Sequence, residues 1–334
     1  MQSKVVYFLF LIKGVTVMLR KFFHVAVLGL CMASNAAPQH PMELVVPFTP
    51  GGLTGSTSRV FAQLLSEHLG QPITVRYFPG HHAQEGARHV SKSAPNGRTL
   101  LAITVTHSAN ATLMPNARYD LQRDLKGIAF LTAAPLVVVV PQQSPIQSLQ
   151  DLVVAAKKSP LQVGTSGNGS SPHLTMALFD DLTDTQSLPI PHTGGKIAIE
   201  SLIAGKVDAV FSNIPQIIEP LRAGHLRALA ITSTTRHPLL PYVPTSAEAG
   251  MPELIAENWG AIMAPHGTPP DTIGHLSTAL NTIAAKPATQ KLAADMGLGI
   301  RFVGHQDFEQ HLQQEIKKWQ NLIKKHNISP GWVD

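Results

Sequence analysis

Residues 135–141 read Pro-Leu-Val-Val-Val-Val-Pro, a continuous apolar run with a proline at each end. A strand with one face in water alternates apolar and polar residues, whereas a strand covered on both faces is apolar throughout. Residues 226–232, Leu-Arg-Ala-Leu-Ala-Ile-Thr, form a second, mostly apolar run. We therefore predict two buried strands at the centre of the fold.

Short strand patterns alternate with helical patterns on either side of these two runs. Such alternation is typical of α/β proteins with largely parallel sheets. We predict strands at residues 43–48, 73–77, 99–104, 161–165, 188–191 and 207–211, and helices at residues 60–69, 198–204, 269–283 and 308–323. The C-terminal third is predicted to be helical.

The two buried runs divide the chain so that one domain interrupts another. We predict a first lobe of residues 38–137 plus 231–334 and a second lobe of residues 138–230. The length of 334 residues agrees with two domains of ~150 residues each. Two crossing strands form a hinge, and a hinge between two lobes creates a cleft that closes on a ligand.

The first 36 residues have the pattern of a secretory signal peptide. Four basic residues and no acidic residue come with an apolar run at 25–33 and a Ser-Asn-Ala tripeptide before Ala37. A positive segment, a short apolar segment and a small-residue cleavage site are typical of export. We predict cleavage after Ala36 and a periplasmic location. Met18 is an alternative start, and a lipid anchor on Cys31 is an alternative to simple release.

Removal of this segment changes the charge of the protein. The full chain has 26 Lys and Arg against 21 Asp and Glu, and the mature chain keeps 26 − 4 = 22 basic residues, a net charge of +1. Nucleic-acid binding is excluded, because no positive excess remains to neutralise several phosphates. Cys31 is the single cysteine, so the mature chain has no disulfide and no cysteine metal site.

Three segments share a design in which a strand is followed by a short Gly/Ser/Thr loop and a helix. They lie at residues 47–54, 104–110 and 164–171. The loop of such a unit sits at the carboxyl edge of the sheet, where the N–H groups and the dipole of the helix N-terminus favour an anion. Each segment alone also fits an ordinary turn with a helix cap.

These segments resemble the Bug family, the substrate-binding proteins of tripartite tricarboxylate transporters, over about residues 43–330. The matching motifs, in family order, are Val45-Val46-Pro47-Phe48-Thr49-Pro50-Gly51-Gly52, Gly70-Gln71-Pro72, Phe78-Pro79-Gly80, residues 94–101 (Ala-Pro-Asn-Gly-Arg-Thr-Leu-Leu), Thr106-His107, Ser166-Gly167-Asn168-Gly169-Ser170-Ser171, and residues 202–208, 226–232 and 243–250. As an ordered set they are specific to the family.

The resemblance implies an α/β, two-lobed periplasmic-binding-protein-like (type II) fold with a hinge of two crossing strands. It also implies a monomeric receptor that captures a small organic carboxylate and delivers it to membrane permease subunits, with no catalysis and no cofactor. A ligand-binding partner of a membrane sensor kinase is an alternative. A hydrolase-like enzyme is a minor alternative, because the nearest match to a G-x-S-x-G elbow, at residues 164–166, continues to Asn168.

By position, the family's ligand contacts fall on both lobes. The residues that the resemblance places at the ligand are Phe48, Thr49, Gly51, Gly52, Thr54, Thr106, His107, Asn110, Ser166, Gly167, Ser170, Ser171, His192, Thr193, Gly194 and Asn213. No metal site is predicted. The best histidine cluster, at residues 81–89, has no spacing that fixes a shared ion.

This chain departs from the family pattern at four places. Gly55 stands where aspartate is usual, and Tyr77 stands where asparagine is usual. His81-His82-Ala83 replaces a glycine-rich stretch, and His192-Thr193 replaces a common Tyr-Lys pair. Because the missing aspartate could have paired with an amino group, we expect amino acids to be poor ligands.

Overall fold

The computed structural model describes residues 41–329. The predicted signal peptide at residues 1–36, the alternative start at Met18 and the last five residues of the predicted first lobe lie outside this range. Within it, no helix combines the length and the apolar character needed to cross a membrane.

The described elements alternate between strands and helices over most of the chain. In chain order they are β1 (Met42–Val46), α1 (Leu53–Leu69), β2 (Ile73–Tyr77), α2 (Gln84–Ser91), β3 (Thr99–Thr104), α3 (Val105–Leu113), β4 (Leu125–Pro141), α4 (Leu149–Lys158), β5 (Gln162–Thr165), α5 (Ser171–Thr183), β6 (Leu188–Pro191), α6 (Gly195–Ile203), β7 (Ala209–Asn213), a 3₁₀ turn (Ile214–Gln216), α7 (Ile218–Arg222), β8 (Leu226–Ile231), β9 (Glu257–Pro265), α8 (Pro270–Ala284), α9 (Pro287–Asp295), β10 (Gly299–Gly304) and α10 (His305–Lys325).

The strands follow the order β2-β1-β3-β9-β4-β7-β5-β6, and β8 and β10 also pair with β4. The outer pairs are parallel, namely β1 with β2 and β3, and β5 with β6 and β7. The pairs that involve β4 or β9 are antiparallel. The prediction of largely parallel sheets is therefore wrong at the centre, and the predicted helical third is wrong where β9 and β10 form.

Strand β4 belongs to both sheets. Its first part pairs with β9 and β10, and from Leu136 onward it pairs with β7 and β8. Along its length only Lys126 and Pro135 are not buried. The predicted strand covered on both faces is confirmed at residues 136–140. The change of partner between Pro135 and Leu136 is the point where the chain passes from one sheet to the other.

The second crossing follows β8, which pairs only with the second half of β4. The buried Thr232 ties this return to the first crossing. Its N–H donates to the Leu136 carbonyl oxygen at 2.9 Å, and its hydroxyl donates to the Ala256 carbonyl oxygen at 2.7 Å. Two adjacent crossings therefore join the lobes, and the two-lobed α/β fold is confirmed. The exact lobe limits stay a prediction.

A further contact joins the two lobes at the far end of the chain. Asp181, near the end of α5, accepts a hydrogen bond from Nε2 of His326 at 2.8 Å and pairs with Lys325 at the end of α10. Beside it, Nδ2 of Asn168 donates to the Ser329 carbonyl oxygen at 3.4 Å. The C-terminal helix therefore reaches across to the lobe that contains α5.

Candidate functional site

Most of the predicted ligand-binding residues line one cavity between the two lobes. Its volume is about 300 Å³, at the lower end of the ~300–1,000 Å³ that is common for small-molecule sites. The predicted residues that line it are Phe48, Thr49, Gly52, Thr54, Thr106, Ser166, Gly167, Ser170, Ser171, Thr193, Gly194 and Asn213. The fold thus brings together loops that are far apart in sequence, and direct ligand contact stays a prediction.

Gly51, His192, His107 and Asn110 do not line this cavity. Gly51 lines an adjoining groove of about 770 Å³ that opens between the same two lobes. Nδ1 of His192 lies 3.3 Å from the Thr165 carbonyl oxygen. His107 and Asn110 are buried. The structure places these four residues outside the cavity lining, and their role as ligand contacts stays a prediction.

Five helices begin at the cavity, since the residues before α1, α2, α3, α5 and α6 line it, and three of these helices have an open N-terminus. Gly52 precedes α1, Ser170 precedes α5, and Gly194 precedes α6, and all three residues line the cavity. None of these three helices has a side-chain cap or an acidic residue in its first turn. The first N–H groups of a helix have no acceptor within the helix and lie at the positive end of its dipole. These N–H groups are therefore suited to a bound anion.

Sequence reasoning missed part of the lining. The additional residues are Pro47, Leu53, Pro79, Gly80, His82, Ala83, Thr104, Asn168, Gly195, Gln216 and Asn258. Several lie inside the quoted motifs, so their neighbours could have indicated them. Gln216 and Asn258 had no such signal, because Asn258 belongs to the missed strand β9.

Asn258 and Gln216 have defined partners at the cavity. Nδ2 of Asn258 donates to Oδ1 of Asn213 at 3.0 Å, which joins β9 of one sheet to β7 of the other. Gln216 packs against the start of α6, where a Cβ at Gly195 would lie 2.4 Å from its Oε1. Glycine at 195 therefore allows the Gln216 amide to approach the N-terminus of the helix.

His107 supports the cavity wall from behind. The Thr104 N–H donates to its Nδ1 at 3.2 Å, and the Thr106 N–H donates to the Thr104 hydroxyl at 3.3 Å, so the two side chains cap α3. The His107 ring meets the Phe48 ring edge to face, with the centroids 6.0 Å apart. Burial lowers the pKa of His107 to about 4, so the ring is neutral at pH 7. Its contacts with Thr104 and Phe48 position α3 and the Phe48 ring.

Two of the departures from the family pattern are in contact with each other. A Cβ at Gly55 would lie 3.0 Å from Cε1 and 3.2 Å from Oη of Tyr77. Arg59 donates a hydrogen bond to this Tyr77 hydroxyl. The tyrosine therefore fills the space that a side chain at position 55 would need. Since Gly55 does not line the cavity, the missing aspartate is no direct reason to expect weak binding of amino acids.

The lining is nearly free of groups that carry a formal charge. Among the described residues that line the cavity, His82 is the only one with a titratable side chain. Its neighbour His81 lies outside the lining and pairs with Glu85 at 3.2 Å. In the part of the chain that the structure describes, no three His, Cys, Asp or Glu side chains are grouped to hold a metal ion.

Comparison with known proteins identifies the family. Residues 57–328 match the family described as the tripartite tricarboxylate transporter family receptor. Protein BugT of Bordetella pertussis (strain Tohama I) is 33% identical over 308 residues, which covers 91% of this chain and 94% of BugT.

Two solved structures are similar over nearly their whole length. An R. palustris protein with adipate is 30% identical with a TM-score of 0.81, covering 88% of this chain and 99% of that chain. MatC from Rhodopseudomonas palustris with bound malate is 28% identical with a TM-score of 0.76, covering 86% and 99%. The chain therefore belongs to the tripartite tricarboxylate transporter receptor family, the Bug family indicated by its motifs, and is a solute-binding protein rather than an enzyme.

Proposed function

We propose that this protein is exported to the periplasm, binds a small organic carboxylate between its lobes and delivers it to the permease subunits of a tripartite transporter. The observation that carries the proposal is the meeting of three uncapped helix N-termini, those of α1, α5 and α6, at one cavity. The adipate and the malate in the two R. palustris structures support a carboxylate as the ligand class.

Neutral donors on two lobes suit a receptor that must also release its ligand. Hydrogen bonds to a charged group contribute about 1.5–3 kcal/mol each, so a few of them give useful affinity. Thr49 and Thr54 belong to one lobe, and Ser170 and Ser171 belong to the other. Opening of the hinge separates these two sets of donors, so neither lobe alone would hold the anion tightly.

The binding proposal is tested with purified protein that starts at Ala37. Thermal-shift measurements and calorimetry would use a panel of mono-, di- and tricarboxylates. A ligand at about 100 times its Kd adds about 2.7 kcal/mol to the free energy of unfolding, so the melting temperature should rise clearly. A flat response across the whole panel would overturn the proposal.

Export and delivery have separate tests. The N-terminal residue of the protein from a periplasmic fraction should be Ala37. Periplasmic protein that still contained residue 18 would contradict cleavage. Deletion of the gene should abolish uptake of the identified carboxylate. If uptake persists while a ligand-dependent transcriptional response is lost, the protein serves a membrane sensor instead.

A further inference from the structure

The loop before α2 has an unusual backbone where it borders the cavity. Three successive non-glycine residues, His81, His82 and Ala83, have φ angles of 46°, 55° and 69°. Left-handed backbone is uncommon and unfavourable for residues other than glycine, and the resembling family has a glycine-rich stretch here. Such strain tends to persist where it serves a functional site.

The loop is held in this shape by its neighbours. Nδ2 of the buried Asn110 donates to the His82 carbonyl oxygen at 2.6 Å. The Gln84 N–H donates to the His81 carbonyl oxygen at 3.2 Å, and Nδ1 of His81 lies 3.2 Å from Oε1 of Glu85. These contacts fix the backbone and engage the His81 side chain away from the cavity, while His82 lines it.

The position of His82 differs from that of the other donors. The N-termini at the cavity that lack both a side-chain cap and an acidic residue belong to α1, α5 and α6, whereas His82 lies on the segment that leads into α2. It is also the only described lining residue whose side chain can become a cation. An imidazole ring donates a hydrogen bond in its neutral form and is also positively charged when protonated. His82 is therefore an additional donor for a second acceptor group on the ligand.

We propose that His82 is a specificity-determining residue that binds a second carboxylate of the ligand. The protein then prefers dicarboxylates to monocarboxylates of the same chain length. This inference rests on the proposed function, because it assigns one residue of the same site to one part of the ligand.

The test compares His82→Gly with the matched control His81→Gly. Both substitutions place glycine at a left-handed position, but only the first removes a side chain from the cavity. Calorimetry would use two pairs of probes, adipate with hexanoate and succinate with butyrate. We expect His82→Gly to weaken dicarboxylate binding by about tenfold or more, since one hydrogen bond to a charged group is lost. Monocarboxylate binding should change less than twofold, and His81→Gly should bind like the wild type.

Several outcomes would overturn the inference and leave the proposed function standing. These are a wild-type preference for the monocarboxylates, unchanged dicarboxylate binding in His82→Gly, or an equal loss for both members of each pair. If the wild type binds none of the four probes, the inference is overturned, and the full carboxylate panel then decides the proposed function separately. If His82→Gly does not fold, His82→Ala gives the same comparison, because it also removes the donor and the neighbouring Ala83 already has a left-handed backbone.

Discussion

Helices α1, α5 and α6, which begin at the cavity, differ from most of the other helices in the described part of the chain. Helix α4 starts with a Ser148–Asp151 capping box, and α8 and α10 have Asp271 and Asp307 in their first turns. Helices α1, α5 and α6 have neither feature. A side-chain cap stabilises a helix by about 0.5–2 kcal/mol, and α1, α5 and α6 lack this stabilisation. Helix α9 also lacks both features, which shows that convergence on a cavity, and not the missing cap alone, marks the site.

A carboxylate added at the start of a cavity helix should oppose ligand binding most strongly. Thr54 is the second residue of α1 and lines the cavity. Thr54→Asp should reduce carboxylate affinity by about 100-fold or more, because like charges brought together cost several kcal/mol. Calorimetry with the best ligand of the panel measures the loss.

The matched control for Thr54→Asp lies on an outer helix. Gln306 is the exposed second residue of α10, so Gln306→Glu adds a carboxylate at the equivalent position far from the cavity. It should leave affinity unchanged and alter stability by no more than about 1 kcal/mol. Equal losses in the two variants would mean that the N-terminus of α1 has no special relation to the ligand.

Helix α3 also starts beside the cavity, but its N-terminus is capped by its own side chains, those of Thr104 and His107. The pKa of His107 is about 4 in the folded protein, against about 6.5 in an unfolded chain. Between these values the unfolded state binds more protons, so stability is full above pH 6.5 and is lost as the pH falls toward 4. The loss from pH 7 to pH 4.5 should be about 2 kcal/mol for this residue.

Urea unfolding of His107→Gln at the two pH values checks the acid sensitivity. Glutamine suits the third position of a capping box, so the helix start should persist and the loss between pH 7 and pH 4.5 should shrink. His173, whose pKa burial also lowers to about 4, should keep the rest of the sensitivity. An unchanged pH dependence in His107→Gln would contradict the assignment.

A substitution at position 55 tests whether an acidic side chain there would face the ligand or would pack against the protein. Gly55→Asp places a side chain against Tyr77, and overpacking of this kind costs about 1–3 kcal/mol. Tyr77→Asn should relieve most of that cost in the double variant. Unfolding free energies of the four proteins in the cycle give the coupling, and additive effects would show that the two positions are independent.

A small effect is expected at the contact between α5 and α10, outside the residues that line the cavity. Lys325 and His326 lower the pKa of Asp181, so the stabilisation is present above the usual carboxyl range and is lost as the pH falls through the lowered pKa. Asp181→Asn should reduce the free energy of unfolding by less than about 1 kcal/mol, because the pair is partly exposed. Affinity should stay the same. Asp295→Asn, which breaks a pair within α9, is the control and should have an even smaller effect.

The predictable parts of the fold are those with a clear local signature. Burial on both faces produced the apolar run of β4, which indicated this strand from the sequence alone. Strand β9 was missed because antiparallel pairing with β3 and β4 stabilises it through partners more than 100 residues away. Such non-local partners leave no periodic pattern in the segment itself.

The site was predicted in outline and missed in detail for a related reason. Family position indicates which loops reach the cavity but not the direction of each side chain. His107 turns inward because the third position of a capping box points back at the helix start. His82 was considered as part of a metal cluster and of a departure from the family pattern but not as a ligand contact, because its place on the cavity wall depends on the left-handed backbone of residues 81–83.

The almost uncharged lining of the cavity bears on how ligand affinity depends on the salt concentration. Attraction between formal charges in water is screened over about 10 Å at 0.1 M ionic strength, so receptors that rely on lysine or arginine weaken in salty media. Hydrogen bonds from fixed amides and hydroxyls act only at contact distance, inside a space from which mobile ions are displaced. Affinity should therefore change little with ionic strength, which suits a receptor exposed to the salt of its surroundings.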